Sequence, residues 1–248
     1  MRIPAMSGVI ERRILANYRV DPELLARLLP APFRPKLHRG FGIAGICLIR
    51  LRDVRPSGMP AMLGLSSENA AHRTAVEWDD ETGVREGVYI RRRDTSSWLN
   101  ALAGGRLFPG IHSHARFEVT EERDHFDVAL RSDDGVTSVS VRGSVAASLP
   151  SSSVFASIAE ASRFFEGGAL GYSATPDPCR FQGLELRTTS WNVQPLAVSA
   201  VTSSVFDNGA MFPAGSIELD CALLMRGIEH QWHGRDDLVC ARDGGGTR

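Results

Sequence analysis

Residues 114–146 read HARFEVTEERDHFDVALRSDDGVTSVSVRGSVA, three alternating segments in a row. Apolar and polar side chains largely alternate over His114–Glu121, Phe126–Ser132 and Val136–Ala146, the period of half-buried strands. Asp124 fills the first gap and Asp133-Asp134-Gly135 the second, residue types suited to tight turns. Three strands joined by two short turns form an antiparallel meander. Upstream, VIERRILANYRV (9–20), Phe41–Val54, Leu65–Trp78 and Val84–Arg92 carry strand composition. Downstream, strands are expected near Gln182–Arg187, Trp191–Phe206 and Ser216–Met225. Helices are expected at Pro22–Leu29, after the Asp21-Pro22-Glu23 start signal, at Ser96–Ala103 before Gly104-Gly105, and at Val154–Glu166 before Gly167-Gly168. Long strands succeed one another without helices between them, which excludes a doubly wound parallel sheet. The expected fold is β-rich α+β: a single domain over residues 1–240, an antiparallel sheet curled into a barrel or cone, and about three outer helices. Residues 241–248, with Gly244-Gly245-Gly246, read as a flexible tail.

Composition removes several classes of function. The 28 basic residues face 29 acidic ones, for a net charge of −1, so no electrostatic footprint for nucleic acid or an anionic membrane is present. Apolar runs stay far below the length that spans a bilayer. The opening MRIPAMSGVIERR has no apolar stretch before its charges and reads as no export signal, so a cytoplasmic location is expected. Cys47, Cys179, Cys221 and Cys240 form no CxxC pair and are expected as free thiols. All basic residues but Lys36 are arginine, which leaves imine chemistry a single candidate amine. No GxGxxG or GxxxxGK[ST] motif follows a strand, no GxSxG elbow is present, and no cofactor is expected.

Polar side chains embedded in strands are costly unless paired or facing a cavity, and they concentrate between Leu65 and His114. Glu68 can serve as general acid or base if burial raises its pKa. Arg106 can hold a carboxylate through two parallel hydrogen bonds. His112 and His114 titrate near neutrality and can move protons. Asn69, Arg93 and Asn100 complete the candidate binding set. The spacing of His112, His114 and Glu118 matches the HxHxxxE pattern of cupin metal sites, but the second cupin element is absent; metal-dependent catalysis at the two histidines is a trailing alternative.

The middle of the chain resembles acetoacetate decarboxylase and its superfamily. The resemblance rests on Leu65-Ser66-Ser67-Glu68, Ala103-Gly104-Gly105-Arg106, Phe108-Pro109 and the entry segment NYRVDPELLARLLP (17–30), in matching order. The YqjF-like branch looks closer still, at GICLIRL, GLSSENA, RRDT and LNALAGGRLFPG. The resemblance implies a cone-shaped β-structure around a central pocket, often a homo-oligomer. It also exposes a departure. In the decarboxylase a lysine after Phe-Pro forms the Schiff base, whereas here Gly110 and Ile111 follow Pro109. Schiff-base decarboxylation is therefore not expected. The expected function is acid/base chemistry on, or binding of, a small carbonyl or carboxylate compound. A non-catalytic ligand-binding or sensor protein is the alternative. Site expectations are that Glu68 and Arg106 face a common internal pocket with one or both histidines nearby.

Overall fold

The computed structural model describes residues 5–102 and 109–240. Its strands and helices follow as β1 (Met6–Val20), α1 (Pro22–Leu28), β2 (Arg34–Pro35), β3 (Leu37–His38), β4 (Phe41–Pro56), β5 (Leu65–Asp80), β6 (Gly83–Thr95), α2 (Trp98–Leu102), β7 (His112–Glu122), β8 (His125–Ser132), β9 (Ser138–Val145), α3 (Ile158–Glu166), β10 (Leu170–Ala174), β11 (Arg180–Thr188), β12 (Gln194–Ser203) and β13 (Ile217–Val239). The expected meander is present as β7-β8-β9. The α1 start signal works as its sequence suggests, because the Asp21 carboxylate accepts the Leu24 N–H at 2.7 Å and Pro22 takes the first helical position. Helix α3 begins later than its apolar pattern, because Ser157 caps it and the Glu160 carboxylate reaches back to the Ala156 N–H at 2.6 Å.

All strands join one sheet, and that sheet forks twice. One edge of β6 pairs with β5 along its length. Its other edge pairs in parallel with β10 at Val88–Ile90 and with β7 at Arg93–Thr95. Strand β13 pairs with β1 on one edge and divides its other edge between β12, at Ala222–Leu224, and β11, at His230–Val239. Two closed circuits result, sharing the wall β13-β1-β4-β5-β6. The smaller is completed by β10 and β11, the larger by β7, β8, β9 and β12. The sheet is thus largely antiparallel, as expected, and becomes mixed at the two parallel pairings of β6, made where a helix or long loop returns the chain in the same direction.

The shared wall is buried on both faces, which explains its near-continuous apolar sequence. Ile14, Ala16, Ile46 and Leu48 pack with Phe126, Val128 and Val141 inside the larger circuit. Their chain neighbours Leu15 and Cys47 pack with Ile90, Leu223 and, from α3, Ala161 and Phe165. Each fully buried aliphatic side chain contributes about 1.5–3 kcal/mol, so both interiors weigh on stability. Gly227 has φ +65 and β1 bulges against β4 between Ile10 and Arg12, after which Ile10, Leu51 and Ile228 pack in one further cluster. Pairing of β11 with β13 aligns Arg180 with Val239 and brings Cys179 and Cys240 together in a disulfide, Cα–Cα 5.1 Å. The expectation of four free thiols is corrected at these two positions; a separation of 61 residues hid the contact. No helix among the described residues is long and apolar enough to cross a membrane.

Candidate functional site

Directly paired residues on neighbouring strands point to the same face of a sheet, so the registers of the shared wall draw the floor of the smaller circuit. Arg13, Ile49 and Asn69 form one row. Leu15, Cys47, Ala71, Arg93 and His112 form the next. Gly45, Arg73 and Ile90 form the third. Small residues occupy the centre of this floor, at Cys47 and Ala71. Gly168, Ala169 and Gly171 line the facing side, with Leu184, Leu186, Trp191 and Trp232. Small residues on both sides leave a cavity of about 120 Å³.

Three arginines reach this cavity. The Arg13 guanidinium lies over the Trp191 ring at 5.7 Å and its Nε donates to Cys47 Sγ at 3.4 Å. Arg73 donates to Asn17 Oδ1 at 2.5 Å and lies over Phe165 at 5.0 Å. Arg93 Nε donates to Ser173 Oγ at 3.1 Å. Among the described residues none of the three forms an ion pair with a carboxylate. Asp94 borders the cavity, but Arg92 holds its carboxylate at 2.9 Å. Burial pushes Arg73 and Arg93 each down to about 10. His112 is pushed down to about 4, first by burial and then by the Arg93 charge, and is neutral at pH 7. Its Nδ1 lies 3.2 Å from the Gly110 carbonyl oxygen. A carbonyl only accepts, so Nδ1 carries the hydrogen and Nε2 is the basic nitrogen.

Of the residues expected from sequence, Asn69, Arg93, Asn100 and His112 meet at this cavity. Asn69 is oriented by bonds from its side-chain amide to the Ser67 carbonyl at 3.1 Å and hydroxyl at 3.0 Å. The backbone N–H of Asn100 is bound by the Ser97 hydroxyl at the start of α2. Glu68 is elsewhere. It points into the larger circuit, where Arg12 and Arg50 each hold it at 2.5 Å and Arg12 also binds Glu121. The expectation that Glu68 lines the pocket is corrected: adjacent strand residues face opposite ways, and Asn69 is the one turned to the cavity. His114 is outside the cavity as well, bonded to Asp133 at 2.8 Å and stacked on Trp98 at 3.8 Å. Arg106 lies outside the described residues, as do its neighbours Gly104, Gly105 and Phe108 and the tail at 241–248. Among the described residues no three His, Cys, Asp or Glu side chains converge as a metal site would require.

Sequence reasoning missed Arg13, Arg73, Trp191 and Trp232. Charges inside the apolar strands IERRILANY and AAHRTAVEW were the available signal for the two arginines. Gly110, where the decarboxylase resemblance places a lysine, has φ +89, and a Cβ there would sit 2.5 Å from Ser173 Cβ. No side chain fits that backbone unchanged. Lys36 does not line the cavity; its ammonium pairs with Glu86 at 2.5 Å and lies over Phe164 at 4.6 Å.

The DUF2071 family model, described as "Uncharacterized conserved protein (COG2071)", matches residues 9–227. No curated protein matches the sequence. Among solved structures, an acetoacetate decarboxylase from Legionella pneumophila superposes with a TM-score of 0.62 at 12% identity, covering 96% of this chain and 88% of that one. An acetoacetate decarboxylase-like enzyme from Sphingomonas wittichii RW1 gives 0.56 at 10% identity, covering 96% and 93%. The enduracididine biosynthesis enzyme MppR, complexed with pyruvate, gives 0.54 at 13% identity, covering 95% and 89%. The fold is that of the acetoacetate decarboxylase-like proteins.

Proposed function

The chain belongs to the DUF2071 family, and for the cavity it builds on this fold we propose the binding of a small organic carboxylate, without imine chemistry. The observation that carries this reading is the set Arg13, Arg73 and Arg93, three guanidiniums on a largely apolar cavity with no carboxylate partner among the described residues. A buried cation is costly unless it meets an anion, and a guanidinium fork matches a carboxylate in two parallel bonds. Names of similar folds agree with this chemistry: one is a decarboxylase of acetoacetate and another was solved with pyruvate, both small oxo acids. Glu68, closed between Arg12 and Arg50, takes no part. Lys36, the one lysine of the sequence, pairs with Glu86 and does not line the cavity, so no amine stands ready there for an imine.

Ligand binding is read by thermal unfolding with pyruvate and with acetoacetate. A carboxylate at one hundred times its Kd adds about 2.7 kcal/mol of stability. Arg93→Met is expected to abolish the gain. Borohydride added with acetoacetate is expected to leave the protein mass unchanged. An adduct on Lys36, or a full panel of small carboxylates that neither shifts unfolding nor releases heat, overturns the reading.

A second reading, proton transfer on the bound acid, is favoured by the neutral His112 in the same cavity. Its Nε2 is the base, positioned by the Gly110 carbonyl. Wild-type protein then accelerates exchange of solvent deuterium into the carbon acid next to the carbonyl of pyruvate, and His112→Asn does not. Equal exchange rates with and without the wild-type protein leave binding alone.

A further inference from the structure

We propose that the ligand of this cavity is a short aliphatic dicarboxylate, held by Arg13 at one end and Arg93 at the other; this rests on the carboxylate-binding reading above. Arg13 is on β1 and Arg93 on β6, with β4 and β5 between them and one row of offset. Strands in a sheet lie about 4.8 Å apart and one row of offset adds about 6.6 Å along the strand, so the two Cα atoms are separated by roughly 16 Å along the wall before its curl is counted. One carboxylate offers two oxygens to one fork and fills the terminal edge of a single guanidinium. Both arginines have that edge to offer. Nε of Arg13 is taken by Cys47 Sγ and Nε of Arg93 by Ser173 Oγ, and no described residue accepts from their terminal nitrogens.

Cys47 and Ala71, between the two arginines, are small, which leaves room above them for a carbon chain. The two ends differ in character. Arg13 sits against Trp191, an environment for a carboxylate and methylenes alone. Arg93 is paired in register with His112, and Asn69 and Asn100 line the same cavity, groups that hydrogen-bond an additional oxygen. Charge points the same way. Arg13, Arg73 and Arg93 bring three positive charges, while the carboxylate of Asp94 is held by Arg92. A monoanion leaves two of the three unbalanced and a dianion leaves one.

The test is calorimetric titration of the full chain with malonate, succinate and glutarate, compared with butyrate, which matches succinate in carbon count but has one carboxylate. The best diacid is expected to bind at least tenfold more tightly than butyrate, about 1.4 kcal/mol. Arg13→Met is expected to reduce diacid affinity to the butyrate level. Arg93→Met is expected to weaken both. Arg13→Gln serves if the methionine variant does not fold, with thermal unfolding as the check. Diacids that bind no more tightly than butyrate, or a diacid affinity unchanged by loss of Arg13, overturn the proposal. If butyrate or pyruvate binds while diacids gain nothing, the dicarboxylate proposal alone falls. If no carboxylate binds, the carboxylate reading falls with it.

Discussion

Replacing Glu68 by glutamine removes the charge between Arg12 and Arg50 while keeping the shape of the side chain. Arg12 is 1% exposed and would keep only Glu121 as its acid partner. Breaking a buried pair by removing one partner costs about 3–5 kcal/mol. Glu68→Gln is therefore expected to lower the urea unfolding free energy by about 3 kcal/mol and to leave carboxylate affinity unchanged. A loss of affinity without a loss of stability reverses the assignment. At this scale the sequence was half legible. It showed that Glu68 and Asn69 lie on a strand and point opposite ways. It did not show which direction leads to the cavity, because both faces of β5 lead to an interior. His112 and His114 posed the same difficulty. Two residues apart on one strand, they share a face, yet one meets the cavity and the other meets Trp98 and Asp133.

Among the elements, β13 shows how tertiary pairing overrides local composition. It runs for 23 residues, through IEHQWHGRDD, where polar and charged residues obscure the strand pattern. Sequence reading ended the strand near Met225. What sustains it is pairing on both edges, with β1 as far as Trp232 and with β11 from His230 onward. Gly227 lies between the two pairings with β12 and β11, at φ +65 with open space where a Cβ would stand. A side chain there meets no clash, so the cost of Gly227→Ala is the left-handed backbone alone, about 1–2 kcal/mol. Urea unfolding is expected to show that loss, with the m-value unchanged. A neutral substitution would mean that the fork tolerates a right-handed residue. Strands with an ordinary partner pattern, such as the β7-β8-β9 meander, were legible because their alternation and turn residues agree.

For the molecule as a whole, the cost of two interiors is seen in its histidines. His72, in the larger circuit against Ser203, His112, at the cavity, and His230, against Trp232, are each pushed down to about 4, with burial the main cause. All three are neutral in the folded protein at pH 7. The unfolded chain begins to protonate them near pH 6.5, where the folded chain does not. Their stabilising contribution is complete above about pH 6.5 and is lost as pH falls toward about 4. With three protons taken up on unfolding, the slope reaches about 4 kcal/mol per pH unit. Urea midpoints measured from pH 7 to pH 4.5 are expected to fall steeply, and a flat profile between pH 7 and pH 5 refutes the assignment. The curled, strand-dominated architecture was legible from the succession of strands and the order of the family-like segments. The forks were not. Each depends on one strand sharing an edge between two partners distant in sequence, which no local pattern records.

A partition between two rooms also changes how the gene can vary. On β5, odd positions such as Asn69, Ala71 and Arg73 face the cavity of the smaller circuit, while Glu68 and His72 serve the other interior. Consecutive codons therefore answer to separate demands. Substitutions at one set are expected to retune what the protein binds at little cost to its folding, and substitutions at the other to do the reverse. In a saturation library across residues 67–73, scored once for ligand affinity and once for abundance, the two profiles should alternate out of phase, one residue apart.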